Sequence, residues 1–170
     1  MIRYRYRNAR ILFVGINPHP GSFARGVPFS NNKTFWYLLA AAGMLAEDRD
    51  TLKNDDLLRR LYGTKFNQRY GLGFVNLVDR PTRDITLIAK DEELPGRRKV
   101  LRVIGAEAPS VVCFIGKVAY QKYLGSRHCT FGWQDPIGAS RVFVMHFPLR
   151  GRALVRVREL RQIKRAAKQS

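Results

Sequence analysis

Ile11-Leu12-Phe13-Val14-Gly15-Ile16-Asn17-Pro18-His19-Pro20-Gly21 is an apolar run that stops at an asparagine and two prolines. The run reads as a buried strand over Arg10–Ile16, with no polar alternation to mark a face in water. Each proline fixes its own φ and pushes the residue before it out of the α region, so Asn17 and His19 are held extended where the strand ends. In an open α/β sheet, ligands bind at that end.

The rest of the chain supplies the partners such a strand needs. Residues 17–32 are rich in Pro, Gly and Ser and carry no regular pattern, which marks a functional loop; Arg25, Phe29 and Lys33 fall in or beside it. Thr34–Met44 has helical spacing at Phe35, Leu38, Leu39 and Ala42, and a second helix is expected near Asp55–Tyr62. Tyr70-Gly71-Leu72-Gly73-Phe74-Val75-Asn76-Leu77-Val78-Asp79-Arg80-Pro81-Thr82 is a glycine-flanked strand with a polar Asn76 inside it, and a buried amide must find partners. Asp91–Ala108 reads as a helix with Leu94, Leu101, Ile104 and Ala108 on its apolar side. Val111–Gly116 followed at once by Lys117–Leu124 is a strand–turn–helix unit. Thr130–Trp133 and Arg141–His146 read as further strands, and a basic helix with a Leu154, Val157, Leu160, Ile163 stripe closes the chain. Residues 1–10 alternate arginine and tyrosine, either as a short edge strand or as an arm on phosphate, the edge being favoured. The expectation is one α/β domain spanning residues 1–170.

Lysine and arginine number 31 against 13 acidic residues, a net charge of +18. Such an excess fits a polyanionic partner, because cations that displace counterions from a phosphate backbone gain affinity without reading sequence. Two cysteines, Cys113 and Cys129, are too few for a cluster or a structural zinc, and suit a reduced, cytoplasmic chain. His19, His128 and His146 show no metal-ligand spacing, so no metal or other cofactor is expected. No segment reaches transmembrane length, and a monomer is the default. Neither a P-loop nor a Rossmann fingerprint occurs, and no nucleophile sits in an elbow. Asp79 stands beside Arg80 before Pro81, an arrangement more often turn-stabilising than catalytic.

Taken in order, Gly15-Ile16-Asn17-Pro18, Pro28-Phe29, Phe35-Trp36, the Tyr70–Thr82 run, Gly96-Arg97-Arg98 and Gly116-Lys117-Val118-Ala119-Tyr120 resemble the mismatch-specific uracil/thymine branch of the uracil-DNA glycosylase superfamily. The resemblance covers roughly residues 10–146. It implies a three-layer α/β/α sandwich with a short, mostly parallel sheet, acting on uracil-containing DNA, single- or double-stranded. Asn17 matches the position that holds the attacking water, Phe29 the aromatic on which the extruded base stacks, and Asn76 a contact to the base edge. Backbone near Gly15, Ile16 and Pro18 completes the expected base site.

Two positions depart from that pattern. His19 stands where the mismatch-specific enzymes carry glycine beside the C5 edge of the base, so a preference for uracil over thymine is expected; the competing reading points the imidazole to solvent or phosphate. At the second motif the chain reads Met145-His146-Phe147-Pro148-Leu149-Arg150-Gly151-Arg152 instead of an Asn-Pro-Ser-Gly or His-Pro-Ser loop. There Leu149 is the expected wedge, Arg150 and Arg152 flanking Gly151 the phosphate clamp, and His146 a candidate for stabilising the departing O2. No catalytic lysine is evident, so a monofunctional glycosylase is expected. Hypoxanthine, xanthine or thymine opposite guanine are the alternative substrates, and a DNA-binding module with catalysis lost is the rival of a different class.

Overall fold

The computed structural model describes residues 1–169. Strand β1 (Ile11–Gly15) is buried along its whole length and divides its side chains between two cores, Ile11 and Phe13 on one side and Leu12 and Val14 on the other. Burial on both faces is what a parallel strand requires when helices cover each side. β1 pairs in parallel with β2 (Leu72–Asn76) and with β3 (Val111–Ile115), which pairs in parallel with β5 (Ser140–Met145). Among the described strands only β4 (Gly132–Ile137) is antiparallel, and the order is β2-β1-β3-β5-β4.

Helices α2 (Thr34–Ala41), α4 (Asp55–Thr64), α5 (Phe66–Tyr70) and α8 (Ala153–Lys168) fill the first face with Leu39, Leu58, Phe66 and Leu160. α6 (Leu94–Glu107) and α7 (Lys117–Leu124) fill the second with Val100, Ile104, Ala119 and Tyr120. The result is the expected three-layer α/β/α sandwich. The chain leaves β1 for β2 on one side and returns to β3 on the other, so the switch point of the sheet lies at the carboxyl end of β1, where Asn17 follows.

Several local expectations are corrected. The 17–32 segment is not wholly irregular: Pro20–Arg25 forms a short helix α1, with Pro20 at its start, the His19 imidazole accepting from Gly21 N–H, and Gly26 left-handed at its end. Six residues carry too little periodicity to betray a helix. α3 (Arg49–Lys53) and α5 were likewise not anticipated. α6 starts three residues later than expected and turns a different face inward. Leu94 and Leu101 are exposed, while Gly96, Val100, Val103 and Ile104 are buried. Gly96 decides this, because a Cβ there would stand 1.6 Å from Leu77 O; only a bare Cα lets the helix approach β2 in this register. In α8, Leu154 is exposed and the other three residues of the stripe are buried.

The lead-in joins the sheet edge without becoming a regular strand. It runs antiparallel beside β2, with Phe74 N–H donating to Arg5 O at 2.8 Å and Tyr4 opposite Asn76. The edge of β2 is thereby covered.

Candidate active site

Gly15 and Asn76 are paired in register at the carboxyl ends of β1 and β2. A Cβ on Gly15 would lie 2.4 Å from Asn76 Oδ1 and 2.4 Å from a ring carbon of Phe29, so three distant segments meet over one bare Cα. Asn76 is fully buried. Its Nδ2 donates to the Tyr4 hydroxyl at 2.9 Å, and its Oδ1 has no hydrogen-bond partner among the described residues. A buried acceptor left bare costs about 1–3 kcal/mol, so this atom is poised for a donor from outside the chain. Burial pushes the Tyr4 phenol above its ordinary value, which keeps the hydroxyl neutral beside the amide.

Phe29 takes a left-handed backbone, φ 56°, which a non-glycine residue adopts only when its surroundings impose it. The impositions are visible on both sides. Trp36 Nε1 donates to Pro28 O at 2.9 Å, Ser30 N donates to Ser22 Oγ at 3.0 Å, and Ser30 Oγ donates to Val27 O at 2.7 Å. The half-buried Phe29 ring meets Phe35 edge-on at 5.1 Å. It is therefore a fixed aromatic surface at the site.

Asn17, half-buried, is held by its nitrogen. Nδ2 donates to Thr82 Oγ1 at 2.7 Å and to Arg80 O at 3.1 Å, with Pro18 O at 3.4 Å. Carbonyl oxygens cannot donate, so these contacts fix which end of the amide is which. Thr82 Oγ1 spends its own proton on Asp84 O, and Thr82 N–H donates to Pro18 O, stapling the loops that follow β1 and β2. Val78 N–H donates to Ile16 O at 2.7 Å in the same staple. The Asn17 Oδ1 meets no donor among the described residues and is the free acceptor at the sheet's mouth. Beyond it, Arg80 forks onto Glu92 at 2.7 and 2.8 Å and holds that carboxyl down at about 2, while Asp79 accepts from Lys99 at 2.8 Å. Asp79 and Arg80 thus have separate partners.

The site residues expected in the first loop divide. His19, beside Asn17, is anchored through Nδ1 as the cap of α1. Arg25 and Lys33 both pair with Asp55; Arg25 also reaches Ser30, Lys33 also donates to Lys53 O, and Lys33 is buried. Where phosphate contacts were expected of them, these cations instead tie the Phe29 loop to α4.

The loop after β5 lies on the same edge, two strands from β1 and so about 10 Å away at the usual strand spacing. His146 N–H and Nδ1 both face the Glu159 carboxylate, at 3.1 and 3.0 Å to Oε1, and its ring stacks on Phe131. With Nδ1 turned to a carboxylate, Nε2 is the nitrogen left facing out. Arg156 donates to Phe147 O at 2.7 Å and to Arg152 O at 3.0 Å, and Gly151 is left-handed beside it, φ 86°. Leu149, Arg150 and Arg152 are exposed at the tip, and neither arginine has an ion-pair partner among the described residues.

The fold therefore brings Gly15, Asn17, Phe29 and Asn76 together and sets His146 and the arginine loop along the same edge. Tyr4, Thr82 and Glu159, which orient three of these side chains, went unassigned in the sequence. Thr82 sits inside the quoted Tyr70–Thr82 block, whereas Tyr4 and Glu159 carry no local signal, since their partners are 72 and 13 residues away. Among the described residues no group of three or more His, Cys, Asp or Glu is placed to hold a metal ion, and no helix is long and apolar enough to cross a membrane. The family model for the uracil DNA glycosylase superfamily matches residues 2–161, a span that runs from the lead-in through β5 into α8 and contains every one of these side chains, so the chain belongs to the uracil DNA glycosylase superfamily, whose members act on DNA.

Proposed function

We propose that this protein is a monofunctional glycosylase of the mismatch-specific branch that excises uracil from DNA. The observation that carries the reading is the buried, unpartnered Oδ1 of Asn76 beside the Phe29 ring. Uracil brings an N3–H to that acceptor and a flat face to the ring, and stacking of this kind is worth roughly 1–3 kcal/mol per base. The base leaves the duplex stack to reach the site, at a cost of a few kcal/mol, with exposed Leu149 filling the gap and Arg150 and Arg152 on flanking phosphates.

The C1′–N1 bond then breaks with its electron pair going to the base. A water donating to Asn17 Oδ1 bonds through its oxygen to C1′, and the proton it sheds passes through solvent to the uracil anion, giving an abasic sugar and neutral free uracil. Asn17 is too weak a base to take that proton; its work is orientation, which the Thr82 and Arg80 contacts supply. His146 faces the departing O2 through Nε2, which has a proton to give only in the imidazolium form. His19, pinned as a cap, crowds the C5 edge and disfavours the thymine methyl.

Hypoxanthine N1–H offers Asn76 the same donor, so the test is a panel of duplex and single-stranded oligonucleotides carrying uracil, thymine opposite guanine, hypoxanthine or xanthine, with abasic sites cleaved by alkali. Uracil is expected to be released fastest, G·U ahead of G·T, and Asn76→Ala is expected to lose about 100-fold in rate on uracil, the ~3 kcal/mol upper end of a missing buried hydrogen bond. Faster release of a purine lesion overturns the uracil assignment, and equal G·U and G·T rates remove the role given to His19.

A further inference from the structure

The outer edge of β2 carries a second basic feature that base excision does not use. An open groove of about 1100 Å³ runs beside the lead-in, from Tyr4 and Lys99 next to Asn76 down to Arg10 and Gly71 at the other end of the strand. That volume exceeds the roughly 300–1,000 Å³ of small-molecule sites, and the trough is open along its length, so it suits an extended ligand. Arg3, Arg7, Arg10, Arg69 and Arg102 line it, all of them exposed. None of the five has an ion-pair partner among the described residues, and the single carboxylate in the lining, Glu107, accepts from Asn8 N–H. Five unneutralised guanidiniums around one trough repel one another, and a polyanion relieves that repulsion. Tyr4 and Tyr6 lie between the arginines, giving the alternation of cation and aromatic that suits a strand with exposed bases.

We propose that this groove holds the phosphates of a single DNA strand flanking the excision site, entering at Tyr4, whose hydroxyl accepts from Asn76. The proposal rests on the chain's acting on DNA, but not on which base it removes. The five residues of β2 span about 17 Å at 3.3 Å each, room for several phosphates.

The test compares blunt duplexes with duplexes carrying a single-stranded tail, all undamaged, by fluorescence anisotropy from 50 to 200 mM salt. The wild-type chain is set beside a triple variant, Arg7→Gln, Arg69→Gln and Arg102→Gln, whose wild-type side chains make no hydrogen bond among the described residues. The wild type is expected to bind the tailed duplex more tightly. In the variant that advantage disappears and the salt slope for the tailed duplex falls by about 2, at about 0.7 per phosphate contact on a single strand; three contacts account for a roughly 20-fold affinity change over that salt range. Binding to the blunt duplex is expected to stay unchanged. A wild type indifferent to the tail, or a variant that loses tailed and blunt duplexes equally, overturns the groove and leaves only a general charge effect. Because undamaged DNA is used, these outcomes are independent of the uracil assignment, which fails only in the lesion panel.

Discussion

At Gly15, one missing methyl group lets the Asn76 amide and the Phe29 ring close over the end of β1. An alanine Cβ there would come within 2.4 Å of both Asn76 Oδ1 and the Phe29 ring, where real contacts never reach, and would fill the space a base edge must enter. Gly15→Ala is therefore expected to lose at least 100-fold in uracil excision while binding an abasic-site duplex close to wild type; undiminished excision would place the base elsewhere. The same scale shows what could be read early. Asn17 was visible because prolines pin it and because Gly15-Ile16-Asn17-Pro18 opens an ordered set of family-like blocks. Its orientation was not, because Thr82 is 65 residues away and only folding delivers it.

Between β2 and α6 the chain is held by a clamp rather than by regular structure. Arg80 grips Glu92 with two hydrogen bonds and Leu87 O with a third, and its own carbonyl accepts from Asn17. Hydrogen bonding from Arg80 is the largest influence on Glu92, with help from Ala89 N–H, and draws its carboxyl from 4.5 to about 2. A lowered carboxyl stabilises the clamp above its unfolded value, and the contribution disappears as the pH falls from about 4.5 through 2. A carboxyl NMR titration is expected to show Glu92 with a midpoint near 2 in the wild type and near the ordinary ~4.3 in Arg80→Gln. A wild-type midpoint at the ordinary value would dissolve the clamp. α6 teaches the same lesson about elements: its existence was legible in the sequence, but which face turned inward depended on Gly96 meeting the carbonyl of Leu77, just past β2.

Across the whole molecule the net charge of +18 is not spread without purpose. Some cations are spent inside, as Arg25, Lys33 and Arg156 are on loop anchoring; others stay free, at the Arg150–Arg152 tip and along the β2 groove. Only cations left free within the chain are available to displace counterions from a phosphate backbone. Arg150→Gln with Arg152→Gln is expected to lower the salt slope for duplex binding by about 2, at about 0.9 per contact, whereas replacing Arg25 leaves the slope unchanged and destabilises the Phe29 loop instead. Titration of binding against salt separates the two kinds of arginine.

Sequence by itself determined the α/β class and the strand that ends at Asn17, because strand burial, helical spacing and proline geometry are local consequences of residue order; the three layers and the mostly parallel sheet were implied by the family resemblance. It also gave Asn17, Phe29 and Asn76 as the residues to watch. Only the tertiary structure decided which cations are spent within the chain, which end of each asparagine amide is free, and that Tyr4 and Glu159 sit behind Asn76 and His146. Those outcomes depend on pairings between segments far apart in the chain, and hydrogen-bond partners at that separation leave no periodicity to read.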